Sequence, residues 1–293
     1  MVYELILTDK CNRKCKFCQI SKGNHNASKK DIISFCNFVN HNNQNSKVNL
    51  FGGEPLLNIK GIDLCFQYLN PSLSVTLYTN GDELLKLINK PYINSLNIQV
   101  TTYDIFEDVE KYRKLCNSFN NIIFTFTFDE TNIDKIEEYK NICRNDLNNN
   151  YKFALSHSND SWINIDNITL YNKIYEITKQ EIYDSIYSHK LSRFIEPKIK
   201  RLYELKHNPN IKPYTCLSEG KMTFYDGRFL NVPCILYKND CSNPKNKYEK
   251  CINCKFNLIC NKSCSFECVD GEVPEKLCII EKAQFDCCSI FCK

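Results

Sequence analysis

Short apolar segments alternate along the first half of the chain with longer segments in which apolar residues recur every three or four positions. The apolar segments predict six β-strands, at Val2–Leu7, Lys47–Phe51, Leu73–Thr79, Leu96–Thr101, Ile122–Phe128 and Tyr151–Ser156. The intervening segments predict five helices, at Ser28–Phe38, Ile59–Leu69, Asp82–Ile88, Ile105–Asn117 and Asn132–Cys143. Strands that alternate regularly with crossover helices form parallel sheets. The pattern therefore predicts an α/β fold, either an open doubly wound sheet or an incomplete barrel.

The second half of the chain has a different character. Residues 167–206 are expected to be mostly helical and to cover the end of a barrel or bridge to the tail. Beyond them, 12 of the 19 cysteines fall between Cys216 and Cys292. We therefore predict a domain boundary near residue 208, with a body at residues 1–208 and a cysteine-rich domain at residues 209–293.

Composition narrows the function classes. The net charge of the 293 residues is only +4, and the basic residues are scattered, which gives no indication of nucleic-acid binding. The sequence has no apolar stretch of membrane-spanning length, and its start lacks the layout of a signal peptide. We expect a cytoplasmic protein, in which thiols stay reduced and dense cysteines indicate metal more often than disulfides. Four isolated cysteines are expected to pack as small apolar side chains: Cys36, Cys65, Cys116 and Cys143.

Residues capable of chemistry follow the predicted strands, one group after each of the first four. These groups are Cys11, Cys15 and Cys18; Gly52-Gly53-Glu54-Pro55; Thr79-Asn80-Gly81; and Thr101-Thr102-Tyr103-Asp104. In parallel α/β folds, ligands bind beyond the carboxyl ends of the strands, so all four groups should meet at one rim. Adjacent glycines allow close approach to the backbone, although Gly-Gly-Glu-Pro alone also fits a tight turn from strand to helix.

The three cysteines after the first strand are the most informative group. Thiolates at Cys11, Cys15 and Cys18 can hold three corners of a cubane iron–sulfur cluster. The fourth iron then lacks a protein ligand and is open to a small molecule. An electron carrier usually has four cysteines per cluster, so this spacing indicates chemistry at the open iron.

The combination of Cys-x3-Cys-x2-Cys after the first strand, with Phe17 before the last cysteine and Gly-Gly-Glu-Pro after the second, resembles the radical S-adenosylmethionine enzymes. The resemblance implies an incomplete (β/α)6 barrel of the TIM type and a [4Fe–4S] cluster whose open iron is chelated by S-adenosylmethionine. It implies that Gly52, Gly53 and Glu54 contact the amino group of the cofactor and that the Phe17 backbone faces the adenine. Thr101 falls where many relatives carry a serine that binds ribose or carboxylate.

The tail carries a second cysteine pattern, Cys251-x2-Cys254-x5-Cys260-x3-Cys264 followed by Cys278. Pairs of the form Cys-x2-Cys are also common in structural zinc sites. Behind a radical domain, however, the spacing resembles the SPASM domain, which binds two auxiliary [4Fe–4S] clusters. The resemblance assigns Cys216, Cys234 and Cys264 to the first auxiliary cluster and Cys251, Cys254, Cys260 and Cys278 to the second.

The tail departs from the SPASM pattern at several positions. Six residues instead of four separate Gly227 from Cys234, and Cys241 either completes the first auxiliary cluster or is a spare. Without Cys241, that cluster would have an open iron as well. Cys268 is an alternative to Cys278. We expect Cys287, Cys288 and Cys292 to lie in a frayed, reduced tail.

Most SPASM proteins modify peptides, so the resemblance implies a peptide substrate, ribosomally made and cysteine-rich, and a net two-electron oxidation such as a thioether or carbon–carbon crosslink. An electron donor of the flavodoxin or ferredoxin type is implied as well. Because strand-like sequence begins at Val2, leader recognition is expected to use a separate protein or another surface. Alternatives are a protein side-chain oxidase or small-molecule dehydrogenase of the same architecture, and a zinc-stabilised binding protein. The acid–base candidates are weak: Asp104, His157, Asp129 and Glu130.

Overall fold

A computed structural model describes residues 1–18, 20, 22–42, 46–102, 108–147, 150–208, 221–230, 251, 253–256, 260 and 274–291. The chain divides into two compact units. Unit 1 comprises Met1–Thr127, Asp134–Lys152 and Glu219–Asp240. Unit 2 comprises Phe128–Ile133, Phe153–Ser218 and Cys241–Lys293. The predicted boundary near residue 208 lies beside residues outside the described part and stays a prediction.

The described secondary structure consists mainly of alternating strands and helices. The strands are β1 (Val2–Thr8), β2 (Lys47–Gly52), β3 (Ser74–Thr79), β4 (Leu96–Thr102), β5 (Ile122–Phe128), β6 (Tyr151–Leu155), β7 (Lys221–Tyr225) and β8 (Arg228–Leu230). The α-helices are α1 (Lys29–Asn42), α2 (Ile59–Tyr68), α3 (Val109–Ser118), α4 (Ile136–Asp146), α5 (Asn167–Ser188), α6 (Glu196–His207) and α7 (Glu275–Phe291). All six predicted strands and four of the five predicted body helices are confirmed, with ends shifted by a few residues.

The sheet is singly wound. Its strand order is β6-β5-β4-β3-β2-β1-β7-β8, so the first six strands follow the chain without a reversal. The helices pack on one face: the Tyr3 ring lies 6.0 Å from Phe38 of α1, and on the same face Phe126 lies 5.4 Å from Tyr139 of α4. A doubly wound sheet would carry helices on both faces. The α/β prediction is therefore confirmed. Of the two predicted architectures, the strand order favours the incomplete barrel over the doubly wound sheet.

The opposite face of the sheet is polar. Glu4 of β1 lies in register with Asn49 of β2, whose amide donates to the Glu4 carboxylate at 3.3 Å. Further along the sheet, the Lys152 ammonium donates to the Gln99 side chain at 2.9 Å. Closed barrels usually fill this face with branched apolar residues. Half-buried polar side chains here leave a surface that can bind a polar ligand.

One predicted helix of the body is wrong. Residues 82–88 form only a single 3₁₀ turn at Leu84–Leu87, instead of an α-helix. Gly81 has a φ of +83°, which does not lead into a helix, and Pro91 disfavours helical geometry at the residue before it. The segment between them is too short for a stable helix.

The sequence analysis missed a hairpin. Strand β7 pairs in parallel with β1 and antiparallel with β8, and thereby extends the sheet of unit 1. The turn between β7 and β8 is Asp226-Gly227, with φ values of +49° and +76°. Asp-Gly between apolar runs is a strong local signal for such a hairpin, and it was available in the sequence.

The expected frayed tail is wrong for the part that the structure describes. Cys287 and Cys288 lie in α7 and are fully buried. Within unit 2, α7 is held to α5 by the Tyr171 hydroxyl, which donates to Asp286 at 2.9 Å, and by Lys276, which donates to Asn167 at 2.7 Å. The two cysteines therefore belong to a packed helix. Cys292 lies outside the described residues.

The isolated cysteines of the body behave as predicted, since Cys36, Cys65, Cys116 and Cys143 are all buried. Burial and the neighbouring Asp146 raise the pKa of the Cys143 thiol above its usual range, which keeps it protonated. No helix among the described residues is long and apolar enough to cross a membrane.

We predict that Phe35→Ala destabilises unit 1 by about 3–5 kcal/mol, the usual cost of truncating a buried phenylalanine. The Phe35 ring is fully buried and lies 5.6 Å from Phe224 of β7, so the change opens a cavity between α1 and the sheet. Anaerobic urea unfolding measures the loss. Ile88→Ala, at a side chain that is 44% exposed, should cost under about 1 kcal/mol. Equal effects of the two changes would contradict the packing described here.

Candidate active site at the carboxyl edge of the sheet

The three cysteines of the first loop lie just beyond the carboxyl end of β1. Cys11 and Cys15 are half-buried and Cys18 is exposed. A turn brings the second and third together, since the Cys18 N–H donates to the Cys15 carbonyl at 3.1 Å. The Arg13 N–H donates to the Cys11 sulfur at 3.4 Å. The local chain therefore turns around its cysteines and leaves their sulfurs accessible.

Electrostatics show that the three thiols are neighbours. Burial raises the pKa of the Cys15 thiol, the charges of Cys18 and Cys11 raise it further, and Arg13 lowers it. Binding of iron would displace the proton, because only a thiolate is a ligand. Within the described residues, no three His, Cys, Asp or Glu side chains converge tightly enough for a single metal ion. A cubane cluster is larger than an ion and holds its ligands further apart, so thiols that do not converge on one ion are compatible with a cluster.

Gly52 and Gly53 allow the chain after β2 to contact the chain after β1. The Gly53 N–H donates to the Thr8 carbonyl at 2.8 Å, and the Glu54 N–H donates to the Lys10 carbonyl at 2.7 Å. A Cβ on Gly53 would lie 2.4 Å from the Lys10 carbonyl oxygen. A Cβ on Gly52, where φ is +146°, would lie 2.3 Å from the Thr8 carbonyl oxygen. The two glycines therefore support the start of the cysteine loop directly.

Glu54 connects this turn to the loop after β3. Its side chain is fully buried and accepts hydrogen bonds from the Thr79 hydroxyl at 2.7 Å, the Asn80 N–H at 2.7 Å and the Leu56 N–H at 3.0 Å. Burial raises the pKa of the Glu54 carboxyl, and these hydrogen bonds act in the opposite direction. Glu54 thus holds the turn after β2 and the loop after β3 together. The cofactor contact that the sequence predicts for it stays a prediction.

Asp82 is a site residue that the sequence analysis missed. It accepts from the Arg13 guanidinium through both carboxylate oxygens, at 2.5 and 2.7 Å, and from Lys111 at 2.6 Å. Burial acts to raise the pKa of Asp82, but the hydrogen bonds and charges of Arg13 and Lys111 outweigh it and lower the pKa. No local pattern marks Asp82, because its partners lie at distant positions in the sequence.

The other predicted site residues have different surroundings. Thr101 lies half-buried on the polar face of the sheet, in register with Thr125. Phe17 is half-buried between Cys15 and Cys18 in the loop. The sequence predicts a contact with cofactor for both, and that stays a prediction.

Two of the acid–base candidates have structural roles. The Asp129 carboxylate accepts from the N–H and the hydroxyl of Thr131, and Glu130 binds the backbone and side chain of Asn164. Both carboxylates therefore stabilise local turns in unit 2, as loop and capping residues do. Asp104 lies outside the described residues.

Unit 2 brings together the four cysteines predicted for the second auxiliary cluster. Cys254 and Cys260 pack on the stacked rings of Phe256 and Phe285, whose centroids are 5.2 Å apart. Burial raises the pKa of the Cys278 thiol, Lys282 lowers it, and the charges of Cys251 and Cys254 raise it. The four thiols therefore share one neighbourhood. The residues predicted for the first auxiliary cluster, Cys216, Cys234 and Cys264, and the alternatives Cys241 and Cys268 lie outside the described residues.

The first part of the chain matches a known family of proteins. The sequence model of the Radical SAM superfamily matches residues 5–125. No curated protein sequence matches the chain. The matched segment runs from within β1 to within β5 and includes all three cysteines of the first loop.

Solved structures share the fold along most of the chain. Native anSMEcpe with bound AdoMet and the Cp18Cys peptide has a TM-score of 0.69 at 15% identity, covering 99% of this chain and 98% of that chain. Streptococcus suis SuiB bound to its precursor peptide SuiA has a TM-score of 0.60 at 16% identity, covering 90% and 72%. At these identities the likeness shows the fold alone.

We predict that Gly53→Ala destabilises the protein by about 1–3 kcal/mol, the usual range for overpacking, and lowers the iron bound after anaerobic reconstitution. The added Cβ would push the Lys10 carbonyl away and displace the cysteine loop. Urea unfolding and iron analysis measure the two effects.

Gly61→Ala is the matched control for this change. At that position the added Cβ would lie 2.9 Å from the Asn58 side chain, which accepts from the Gly61 N–H at the start of α2 and donates to the Leu7 carbonyl, so stability should fall here as well. The iron content per folded protein should fall less in Gly61→Ala than in Gly53→Ala, because the added Cβ meets a side chain and not the Lys10 backbone. A Gly53→Ala variant with wild-type stability would show that the contact with Lys10 is not a constraint.

Proposed function

We propose, from the membership of residues 5–125 in the Radical SAM superfamily, that this protein cleaves S-adenosylmethionine reductively and uses the resulting radical to oxidise a peptide. The observation that carries the proposal is the juxtaposition of three accessible thiols with Gly52, Gly53 and Glu54 at the carboxyl edge of the sheet. Cys11, Cys15 and Cys18 would hold a [4Fe–4S] cluster there, which when bound would supply the electron for cleavage of the sulfonium S–C5′ bond.

The proposal assigns different roles to different residues. Cys11, Cys15 and Cys18 would hold the cluster and leave one iron to the amino and carboxylate groups of S-adenosylmethionine. Gly53 and Glu54 hold the chain around the cysteine loop through backbone hydrogen bonds. The protein's contribution is to bind, to orient and to exclude side reactions of a reactive species.

A peptide is the substrate class that the similar structures support. One neighbour contains the Cp18Cys peptide and another the precursor peptide SuiA. The polar face of the sheet, with Gln99, Lys152 and Thr125 among its side chains, offers hydrogen-bonding groups suited to peptide amides. We therefore propose that a peptide binds over this face and loses two electrons and two protons, forming a thioether or a carbon–carbon crosslink.

The cysteines of the tail fit the removal of the second electron. In the proposal, Cys251, Cys254, Cys260 and Cys278 would hold one auxiliary cluster. The packing of Cys254 and Cys260 on Phe256 and Phe285 supports it, as do the charges of Cys251 and Cys254 that raise the pKa of Cys278. An auxiliary cluster bound there would accept the electron left on the peptide after hydrogen abstraction. A further cluster at Cys216, Cys234 and Cys264 is part of the proposal as well.

Several partners complete the proposed reaction. The first electron must come from a reductant, for which we propose a protein of the flavodoxin or ferredoxin type in the cytoplasm. A separate protein would bind the leader of the peptide. The alternatives are a side-chain oxidase, for which the likeness to anSMEcpe is the supporting observation, and a small-molecule dehydrogenase.

Replacing Cys11, Cys15 and Cys18 together by alanine should abolish formation of 5′-deoxyadenosine, because the cluster loses all its protein ligands. The protein should keep the iron of the tail clusters. Chromatography of the reduced reaction mixture and iron analysis measure both results. Cys116→Ala, a buried cysteine of α3 outside the site, should retain wild-type activity per folded protein. Colourless wild-type protein with tightly bound zinc would reject the enzyme and support a zinc-stabilised binding protein.

A short cysteine-rich peptide encoded beside the gene should lose two hydrogens per modification, about 2 Da by mass spectrometry, when produced together with this protein. Cys260→Ala should reduce this product more than it reduces uncoupled formation of 5′-deoxyadenosine. Cys260 packs on the core of Phe256 and Phe285, so folding of the variant has to be checked by its unfolding midpoint. An unchanged peptide mass would reject this substrate, and equal loss of both products would make the tail clusters structural.

A further inference from the structure

Asp82 joins the cysteine loop to two other parts of unit 1. Its Oδ2 accepts from Nε of Arg13 at 2.7 Å and from the Asn12 amide at 3.2 Å. Its Oδ1 accepts from Nη2 of Arg13 at 2.5 Å and from Nζ of Lys111 in α3 at 2.6 Å. We call these four side chains, Asn12, Arg13, Asp82 and Lys111, the loop clamp. A forked arginine pair of this kind fixes orientation as well as distance.

Asp82 is itself held in place. The Asp82 N–H donates to the Asn80 side chain at 3.0 Å, which forms a local turn. The same Asn80 side chain donates to Asn12 at 2.7 Å, and the Asn80 N–H donates to Glu54 at 2.7 Å. The loop clamp is therefore part of a continuous network that reaches the loops after β1, β2 and β3.

The cysteine loop needs such support because its own sequence works against a fixed shape. Between Cys11 and Cys18 it carries Arg13, Lys14 and Lys16 and no acidic residue, so its charges repel one another. Every second residue of the loop is exposed, and therefore burial contributes little to its order. An anchor on the segment between the first two cysteines restricts both of them at once.

We propose that Asp82 is a positioning residue, which holds the cysteine loop through Arg13 and Asn12 in the shape that receives the cluster. In this proposal Asp82 acts through Arg13 and Asn12 and not by contact with the cluster or the substrate. Its contacts order the loop before the cluster binds. Binding of the cluster then costs less conformational entropy. The part of the proposal that concerns the cluster rests on the proposed function, whereas the ordering of the loop does not.

Limited proteolysis of the full chain tests the ordering directly. Trypsin cleaves after Arg13, Lys14 and Lys16, and cleavage requires the loop to open. In Asp82→Asn the rate of cleavage at these three bonds, followed by mass spectrometry, should rise about two- to fivefold, as expected for a weakened ion pair near the surface. Because Arg13→Gln removes the trypsin site at residue 13, the double variant Arg13→Gln with Asp82→Asn is compared with Arg13→Gln alone at the bonds after Lys14 and Lys16. There Asp82→Asn should accelerate cleavage less than it does in the wild-type background, since the ion pair between Arg13 and Asp82 is already absent.

Electron paramagnetic resonance of the anaerobically reconstituted holoprotein tests the consequence for the cluster. Adding S-adenosylmethionine should change part of the reduced-cluster signal in the wild type. This responsive fraction should fall at least about twofold in Asp82→Asn, while the signal that does not respond stays the same. A wild type with no responsive signal would reject the proposed function, and the proteolysis would still decide the role of Asp82.

Asp63→Asn is the matched control. Asp63 of α2 accepts from Lys90 and from the Tyr92 hydroxyl, both at 2.7 Å, so this change removes the same charge from a paired carboxylate that does not contact the loop. Its loop cleavage and its responsive signal should match the wild type. Wild-type cleavage rates in Asp82→Asn, or equal acceleration in Asp63→Asn, would overturn the proposal.

Discussion

The close approach of two backbones at the carboxyl edge of the sheet is the constraint on which the site depends. The backbone at Gly52 and Gly53 passes very close to the end of β1 and the residues that follow it. A Cβ on Gly52 would lie 2.3 Å from the Thr8 carbonyl oxygen, and a Cβ on Gly53 would lie 2.4 Å from the Lys10 carbonyl oxygen. The approach allows backbone hydrogen bonds to Thr8 and Lys10, which fix where the cysteine loop begins. Parallel pairing of β1 with β2 then sets the direction in which the loop leaves the sheet. The two glycines are therefore needed for the contact between these two backbone segments.

Features that depend on local pattern could be predicted from the sequence. Short apolar runs and helical spacing predicted the strands and most helices, and the rule that ligands bind beyond strand ends placed the cysteines beside Gly52 and Gly53. Residues 82–88 were misassigned because their apolar spacing suggests a helix, whereas the positive φ of Gly81 and the nearby Pro91 limit them to a turn. Local propensity is outweighed there by the residues on either side.

Features that depend on distant partners could not be predicted. The contact of Asp82 with Arg13 spans 69 positions, and nothing near Asp82 in the sequence points to it. The pairing of β7 with β1 spans more than 200 positions, although its Asp226-Gly227 turn was visible locally. Similarly, Cys287 and Cys288 were expected in a frayed, reduced tail, and only the packing of α7 against α5 shows that they are buried.

Glu54 supports the rim through three hydrogen bonds to its buried carboxylate. An ionised carboxylate offers about four acceptor positions, and Leu56, Thr79 and Asn80 occupy three of them. One position remains within these contacts for a further donor such as an ammonium group. Burial raises the pKa of this carboxyl, and a cation placed beside it would favour the ionised form instead. The amino-group contact that the sequence predicts is therefore compatible with the hydrogen bonds of Glu54, since binding of a cation would offset the cost of keeping this charge buried.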